Sequence, residues 1–429
     1  MSLSEFIGDV RDALKKHNAA ALCKFLEINP QDNKGPLIAR FNDPNDFDLY
    51  EIDERFRNVI KSYIKLMKSI YLVNDIKKSF EDYNEMVIQL NRYAELQTNW
   101  INLTLMKCCK ELIGIYSVME KSFPEEIKNN NQSNEIFTDR KQSALEILAN
   151  TINKSFKLSL NDKNLDLSQS KRIDIYFFLS ILIKIYFKLG NIELAKSIEK
   201  ALKGTRFELP AFNKKLKDKA SAITYLYYSS ILSLEDSDFK SSQSKLESAL
   251  NLLSYYQDIS RVKKNHQKIL ILLLPLKLYN DKKIPKDIIW KQFPTLKYLY
   301  KDNLFEFILK GQIFQLNNFI IKVQAFLLKS NLYLLFENLK RLCMISLIKK
   351  TVHIHQSLNE DTKTNHIIPF SAFNVTITYS THGKSQKDYT ENFDEIECIL
   401  ASLIADGFIK GYLSHSNKCI VLSKTVPFP

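Results

Sequence analysis

Apolar residues recur every three or four positions along most of the chain, which is the spacing of one buried helix face. Between residues 173 and 255 the pattern forms two pairs of helices, 173–189 with 192–202 and 212–234 with 239–255, each joined by a short polar turn. One such hairpin leaves part of its apolar stripe open, and neighbouring hairpins complete the core. The pattern therefore predicts a stack of helical hairpins of the tetratricopeptide type.

Periodic segments continue on both sides of these pairs. Helices are expected at residues 2–29 (two short ones), 51–72, 76–93, 96–119 and 142–158 before the pairs, and at 262–279, 301–309 and 314–330 after them. Residues 30–48 and 124–139 have few apolar positions and predict loops. Pro275 lies inside a periodic segment, and we expect it to kink its helix or to begin a new one.

The end of the chain predicts a different module. Residues 331–356 form a long helical stripe, and residues 394–404 form another that begins with carboxylates and is followed by Gly407. Two alternating runs, 408–413 and 418–422, then flank a short polar turn, as in a hairpin. Together with a short helix between the two stripes, this gives helix, helix, helix and hairpin, the order of a winged helix.

The segment between the two stripes has two possible structures. In residues 365–379, Phe373, Val375 and Ile377 alternate with polar residues as in a strand, yet the position after Pro369 also suits the start of a helix. We expect a short helix with a strand beside it.

The hairpin is the wing of the predicted winged helix. Gly407 and Phe408 are predicted to hold the junction between the last helix and this wing. Glycine adopts the left-handed conformation of a helix C-cap without a clash of its Cβ. Phe408 is expected to pack the hairpin against Leu400 and Leu403. Damage to this junction should disable partner binding before it unfolds the stack.

Composition supports a mostly all-α chain. Nine glycines and eleven prolines among 429 residues are too few for folds that need many tight turns. We expect three regions: an N-terminal helical region at 1–160, a tetratricopeptide-like helical stack at 161–330, and a winged helix at 331–429. The last two regions would form a single functional domain.

Several stretches resemble the PCI-domain family, which is named after the proteasome lid, the COP9 signalosome and a translation initiation factor. Residues 394–429 resemble the closing stretch of that family. With residues 177–196, 236–250 and 271–280 and the ending KTVPFP, they are similar to one branch of it. That branch includes the COP9-signalosome-subunit-twelve-like proteins and the PCI subunit of the nuclear transcription-and-export complex. The resemblance covers about residue 99 to the end.

The resemblance implies a non-catalytic subunit of a nuclear complex that binds RNA or DNA and couples transcription to mRNA splicing or export. By the same resemblance, the chain would bind a larger PCI protein of the Sac/GANP type through paired winged helices. A small acidic protein of the Sem/Dss type would grip the helical stack. The alternative is a purely structural scaffold subunit of an assembly like the COP9 signalosome or the proteasome lid, with no nucleic-acid role.

The positive charge is concentrated in one region. Residues 261–350 carry eighteen Lys and Arg but five Asp and Glu, so this region accounts for the whole formal net charge of +13. The region is either a solvated lysine face or a surface for a polyanion. Candidate phosphate contacts are Lys340, Arg341, Lys349 and Lys350 on the first winged helix and Lys410, Lys418 and Lys424 around the hairpin.

A second set of basic residues is predicted to bind the acidic partner. These residues flank a predicted groove lined by the helices of residues 173–279. They are Lys214, Lys215, Lys217 and Lys219 on one side and Arg261, Lys263, Lys264 and Lys268 on the other. Exposed loop lysines without a partner are the alternative interpretation.

The remaining features of the sequence argue against an enzyme. His353 and His355 point in opposite directions on a helix and cannot share a metal, and the stretch 382–385 lacks the first glycine of a phosphate-binding loop. Cys108 and Cys109 lie on an apolar helix and suit packing better than nucleophilic attack. We therefore expect no catalytic residues, no metal and no cofactor.

The sequence also predicts where the protein is found. Six cysteines with no repeated spacing predict free thiols in a reducing compartment. The first residues alternate charged and apolar positions, unlike a signal peptide, and the longest apolar runs are far shorter than the ~20 residues of a membrane span. Together with the family resemblance, this predicts a protein of the nucleus without a membrane partner.

Overall fold

A computed structural model describes residues 2–30, 34–124, 142–358, 365–382 and 393–429. The loop predicted at 124–139, beyond its first residue, and residues 383–385 lie outside these ranges. The chain separates into two compact units, Met1–Ser229 and Ser230–Pro429. The region boundaries predicted after residues 160 and 330 stay predictions.

The first unit is built of helices, and its consecutive helices pack against each other from α4 to α9. They are α1 (Leu3–Lys15), α2 (Ala19–Phe25), α3 (Lys34–Ala39), α4 (Glu54–Lys68), α5 (Ile76–Ala94), α6 (Asn102–Ser122), α7 (Ala144–Leu160), α8 (Ile175–Leu189), α9 (Ile192–Lys203) and the start of α10 (Lys219–Glu235). This is the helical stack that the periodicity predicts.

Local sequence signals set several helix ends in this unit. The hydroxyl of Ser143 accepts a hydrogen bond from the Glu146 N–H, and the Glu146 carboxylate accepts one from the Ser143 N–H, so these residues form a capping box at the start of α7. Helix α8 is followed by Gly190, whose φ of 70° is left-handed and closes the helix. Such pairings satisfy backbone groups that a helix end leaves open.

Two sequence predictions in this unit are wrong in detail. Residues 30–48 are not loop throughout, because α3 lies within them; its Pro36 stands in the first turn, where proline is tolerated. Helix α10 begins at Lys219, whereas the periodicity placed its start at residue 212. The Asp218 carboxylate accepts a hydrogen bond from the Ser221 N–H and caps the helix there.

The second unit continues with helices and ends in a small sheet. Its elements are the end of α10, α11 (Phe239–Ser254), α12 (Ile259–Asp281), α13 (Asp287–Gln292), α14 (Pro294–Leu296), α15 (Glu306–Lys310), α16 (Ile313–Lys329), α17 (Tyr333–Leu358), β1 (Ile367–Pro369), α18 (Phe370–His382), α19 (Phe393–Ala405), β2 (Gly411–Ser414) and β3 (Cys419–Leu422). A π-helical stretch, Lys297–Phe305, joins α14 to α15, so this helical run starts earlier than the predicted residue 301.

Pro275 lies inside α12 without dividing it, and the prediction that it begins a new helix is wrong. Proline has no N–H, so the carbonyl of Ile271, four residues earlier, loses its helical partner. The hydroxyl of the buried Tyr300 donates a hydrogen bond of 2.6 Å to that carbonyl. A side chain 29 residues away along the chain therefore supplies the missing donor.

Residues from α17 to β3 form the predicted winged helix. The sheet has the order β1-β3-β2 with antiparallel pairs, in which Ile368 lies opposite Ile420 and Tyr412 opposite Val421. The ambiguous segment is a short strand followed by a helix, as expected. Phe373 and Ile377 are buried on one face of α18, whereas Val375 is exposed, so the alternation did not indicate a strand. Among the described helices, none is long and apolar enough to cross a membrane.

Candidate functional site

The turn after α19 has the conformation predicted for it. Gly407 has a φ of 76°, its N–H donates to the Ile404 carbonyl, and the Phe408 N–H donates to the Leu403 carbonyl. This pair of hydrogen bonds is a Schellman motif, which closes the helix and sends the chain toward β2. The functional role of this junction stays a prediction.

The packing of Phe408 against Leu400 and Leu403 stays a prediction, and the structure buries the next residue more deeply. Phe408 is half-buried, with the Lys282 ammonium 5.5 Å from its ring centroid, whereas the next residue, Ile409, is buried beneath the wing. In the Schellman turn the residue that follows Phe408 faces the core. Ile409 is therefore the more deeply buried apolar anchor of the hairpin.

The four basic candidates on α17 do not share one face. At about 100° per residue, Lys340 and Lys350 lie about 80° apart, as do Arg341 and Lys349, and the two pairs project from opposite sides of the helix. Two of the four already have partners: Lys340 lies 2.7 Å from the Glu337 carboxylate, and Arg341 lies 2.8 Å from the Asp406 carboxylate.

The last residues of the chain contact two of the basic candidates, one on α17 and one at the hairpin. Lys410, Lys418 and Lys424 are exposed. The Lys410 N–H donates to the Pro427 carbonyl, and the Lys349 ammonium lies 5.2 Å from the ring centroid of Phe428. The terminal residues therefore run between α17 and the wing and bring Lys349 and Lys410 to the same tail. Sequence reasoning missed this arrangement, although it had singled out the closing KTVPFP.

The seven candidate phosphate contacts do not form a single patch. Lys418 lies over the ring of Phe393 at the start of α19, whereas Arg341 is paired with Asp406 just past its end. A helix of thirteen residues separates these points by about 20 Å. Helix α19 itself carries three carboxylates and no Lys or Arg, so it is a poor element for a nucleic-acid groove.

One ion pair ties the tip of the wing to α19. Nδ1 of His415, in the hairpin turn, lies 2.7 Å from a carboxylate oxygen of Glu397. The hydrogen bond and the charge of Glu397 raise the pKa of His415 above its usual range. With the contact of Lys418 on Phe393, this pair fixes the turn against the first half of α19.

The lysines predicted to bind an acidic partner are mostly exposed. Lys214, Lys215 and Lys217 belong to the first unit and precede α10, where Lys219 turns its ammonium back onto the Leu216 carbonyl. Arg261, Lys263, Lys264 and Lys268 lie in the first turns of α12 in the second unit. Arg261 is paired with Asp258. Binding of an acidic chain stays a prediction.

The chain is similar to curated proteins over its whole length. A Debaryomyces hansenii protein named "Protein CSN12 homolog" is 54% identical over 432 residues, which cover 100% of this chain and 98% of that protein. The chain belongs to the CSN12-like branch of the PCI-domain family. Residues 316–424 match the PCI domain itself. This match starts in α16 and ends just after β3.

Two more distant relatives belong to the same family. "Cop9 signalosome complex subunit 12" of Saccharomyces cerevisiae is 28% identical over 360 residues, 81% of this chain and 79% of that protein. "PCI domain-containing protein 2" of Danio rerio is 29% identical over 294 residues, 66% of this chain and 64% of that protein. The family predicted from the residues is thus confirmed.

The candidate catalytic groups of this CSN12-like chain are poorly placed for chemistry. Burial raises the pKa of Cys109 to about 12 and that of Cys108 well above its usual range, so both remain thiols rather than nucleophilic thiolates. His353 and His355 both lie on α17, two residues apart. Within the described residues, no three His, Cys, Asp or Glu side chains are grouped so that they could hold a metal ion.

Proposed function

We propose that this CSN12-like chain is a non-catalytic subunit of a COP9-signalosome-like assembly and that the outer edge of its winged-helix sheet pairs with a second PCI protein. The observation that carries the proposal is the position of β2. It lies at one edge of the sheet, and no other described strand covers its outer side. Tyr412 in its middle is 65% exposed.

An uncovered edge strand presents backbone N–H and C=O groups that can extend a sheet into another chain. The exposed ring of Tyr412 adds apolar area next to those groups. The name of the Saccharomyces relative as a signalosome subunit supports this kind of assembly. The identity of the larger partner as a protein of the Sac/GANP type, and the nucleus as the location, rest on the family resemblance.

Co-purification of the larger PCI partner tests this proposal. We expect Tyr412→Glu to abolish recovery of that partner, identified by mass spectrometry, because the variant replaces an apolar ring with a carboxylate that the strand interface would have to remove from water. Tyr298→Glu is the matched control, since Tyr298 is 63% exposed and belongs to the π-helical stretch Lys297–Phe305 rather than to the sheet. Equal recovery with both variants would show that the β2 edge is not the interface.

A small acidic protein of the Sem/Dss type is the proposed third subunit. The exposed lysines 214, 215 and 217 of the first unit support it, because an acidic chain gains from several cations. Taken by themselves, the exposed lysines 263, 264 and 268 of the second unit support it for the same reason. Binding should raise the melting temperature of the protein as the concentration of the acidic chain increases. A constant melting temperature would count against this partner.

Nucleic-acid binding is the second candidate function. The observation that favours it is that five lysines of α17 and the wing are exposed, although they do not form one patch, namely Lys349, Lys350, Lys410, Lys418 and Lys424. Because α19 is acidic, contact would be made with phosphates by the wing and α17 and would show little base preference. Such a subunit could link transcription to mRNA splicing or export.

A further inference from the structure

Helix α16 has two apolar faces, and the chain covers one of them. Ile313, Leu316, Ile320 and Leu327 are buried against the rest of the second unit. About 110° further around the helix, Phe314, Ile321 and Leu328 form an outer face and are 41%, 68% and 55% exposed. A helix that is apolar on both faces is typically covered on both. The outer face is therefore a candidate docking surface.

The outer face is a narrow, straight stripe. At about 100° per residue, Phe314, Asn318, Ile321, Ala325 and Leu328 fall within a band of about 80°, and the band is about 21 Å long. We call these five residues the α16 stripe. The spacing of seven residues between its three large members is the spacing at which two helices pack side by side. The stripe therefore fits a partner helix of about four turns.

The stripe opens at one end into a preformed groove. The groove has a volume of about 740 Å³, and Phe314, Leu347, Val375 and Tyr379 line it. Its two walls are held together by Ser380, whose hydroxyl accepts from the Ile313 N–H at 3.0 Å and donates to the Gly311 carbonyl at 2.7 Å. A large apolar side chain of the partner could enter without rearrangement of the walls.

The charges beside the stripe decide what kind of helix fits. Helix α16 carries Lys322 and Lys329 and no Asp or Glu. At about 100° per residue, both lysines lie on the same flank of the stripe. A second copy of this chain would bring these lysines against each other if two stripes packed together, which like charges oppose. A partner helix with carboxylates along one flank would instead pair with them.

We propose that the α16 stripe and its groove bind an amphipathic helix, acidic along one flank, that belongs to a different protein. This surface is separate from the β2 edge, so it does not depend on the function proposed for that edge. It is also distinct from the lysines of α12 and of the segment before α10.

Site-specific cross-linking in the native host tests the proposal on the full-length chain. A photoreactive residue replaces Ile321 in one variant and Ile288 in a control, since Ile288 is 63% exposed but lies on α13. We expect cross-links from position 321 to a segment whose apolar residues repeat every three or four positions and whose net charge is negative. Cross-links to this same chain, to a segment without that pattern or to nothing would overturn the proposal.

A synthetic peptide with the cross-linked sequence then tests the charges and the stripe. We expect Ile321→Glu with Leu328→Glu to weaken peptide binding at least tenfold, and Lys322→Glu with Lys329→Glu to weaken it several-fold at low salt. Ile288→Glu should leave the affinity unchanged. If the lysine reversals have no effect, the acidic flank is refuted, and if the stripe variants bind normally, the whole docking site is refuted.

Discussion

At the residue scale, two adjacent side chains differ in burial at the turn that leads into the wing. Ile409 is buried and holds the hairpin, whereas Phe408 is half-buried and lies beneath the Lys282 ammonium. The exposed part of Phe408 lies two residues before Lys410 and four before Tyr412, which are both exposed. The chain thus alternates outward and inward positions as it enters β2.

This difference in burial predicts unequal costs for two alanine variants. Ile409→Ala should lower the free energy of unfolding by about 2–5 kcal/mol, because it leaves a cavity under the wing. Phe408→Ala should cost less than Ile409→Ala, because part of its ring is already in water. Urea denaturation of both variants measures the difference. A larger cost for Phe408→Ala than for Ile409→Ala would contradict the burial described above.

The sequence could not identify Ile409 as the anchor. The first apolar residue after a glycine stop is Phe408, and only the hydrogen bonds of the Schellman turn decide which of the two residues faces inward. Pro275 is a similar case. Its missing hydrogen bond is compensated by Tyr300, and no local pattern links two residues that are 25 positions apart. Periodicity does not predict contacts between residues that are far apart along the chain.

At the element scale, two glycines with nearly the same backbone conformation have different surroundings. Gly311, between α15 and α16, has a φ of 68°, and Gly407, after α19, has a φ of 76°. A Cβ on Gly407 would meet no atom within 4 Å, whereas a Cβ on Gly311 would lie 2.8 Å from Cα of Leu347. Gly311 thus permits the close approach of α17 to the turn before α16.

These surroundings predict unequal costs for the same substitution. Gly407→Ala should cost about 1–2 kcal/mol, the penalty of a left-handed alanine alone. Gly311→Ala should cost clearly more, because the backbone of α17 must also move away. The free energies of unfolding measured by urea denaturation give the comparison. Equal costs would show that α17 can shift freely at Leu347.

The elements themselves were largely predictable from the sequence. Long amphipathic segments such as α5, α8 and α17 have one continuous apolar stripe and no competing signal, and their positions agree with the periodicity. Short elements were less certain: α3 was taken for loop, and the start of α10 was misplaced because the apolar residues before Asp218 continue the helical spacing. The candidate site was harder still to predict from the sequence, since the Arg341–Asp406 ion pair joins residues that are 65 positions apart.

At the scale of the whole molecule, positive charge is concentrated in one part of the chain, and two proposed partners would both be attracted to it. The full net charge of +13 belongs to residues 261–350, which lie wholly in the second unit. An acidic protein helix on α16 and nucleic acid on the wing would both gain from this field. The two kinds of binding differ in how strongly their affinity falls with salt and in which lysine substitutions weaken them.

Charge reversal separates nucleic-acid binding from a scaffold role. Changing Lys340, Arg341, Lys349, Lys350, Lys410, Lys418 and Lys424 to Glu should weaken binding of single-stranded RNA at least about tenfold and flatten its salt dependence, since each lost phosphate contact removes about 0.7 from the slope. The control reverses seven exposed lysines of the first unit, namely Lys15, Lys16, Lys24, Lys78, Lys121, Lys154 and Lys157.

One ion pair in the structure sharpens this experiment. Reversing Arg341 would place its carboxylate beside that of Asp406, so a second variant keeps Arg341 and reverses the other six, and circular dichroism checks that each variant is folded. Equal affinities of the reversed and control proteins would exclude these residues as the contact surface. No binding by the unmodified protein at ~50 mM salt would leave the scaffold role as the function of this surface, because phosphate contacts are strongest at low salt.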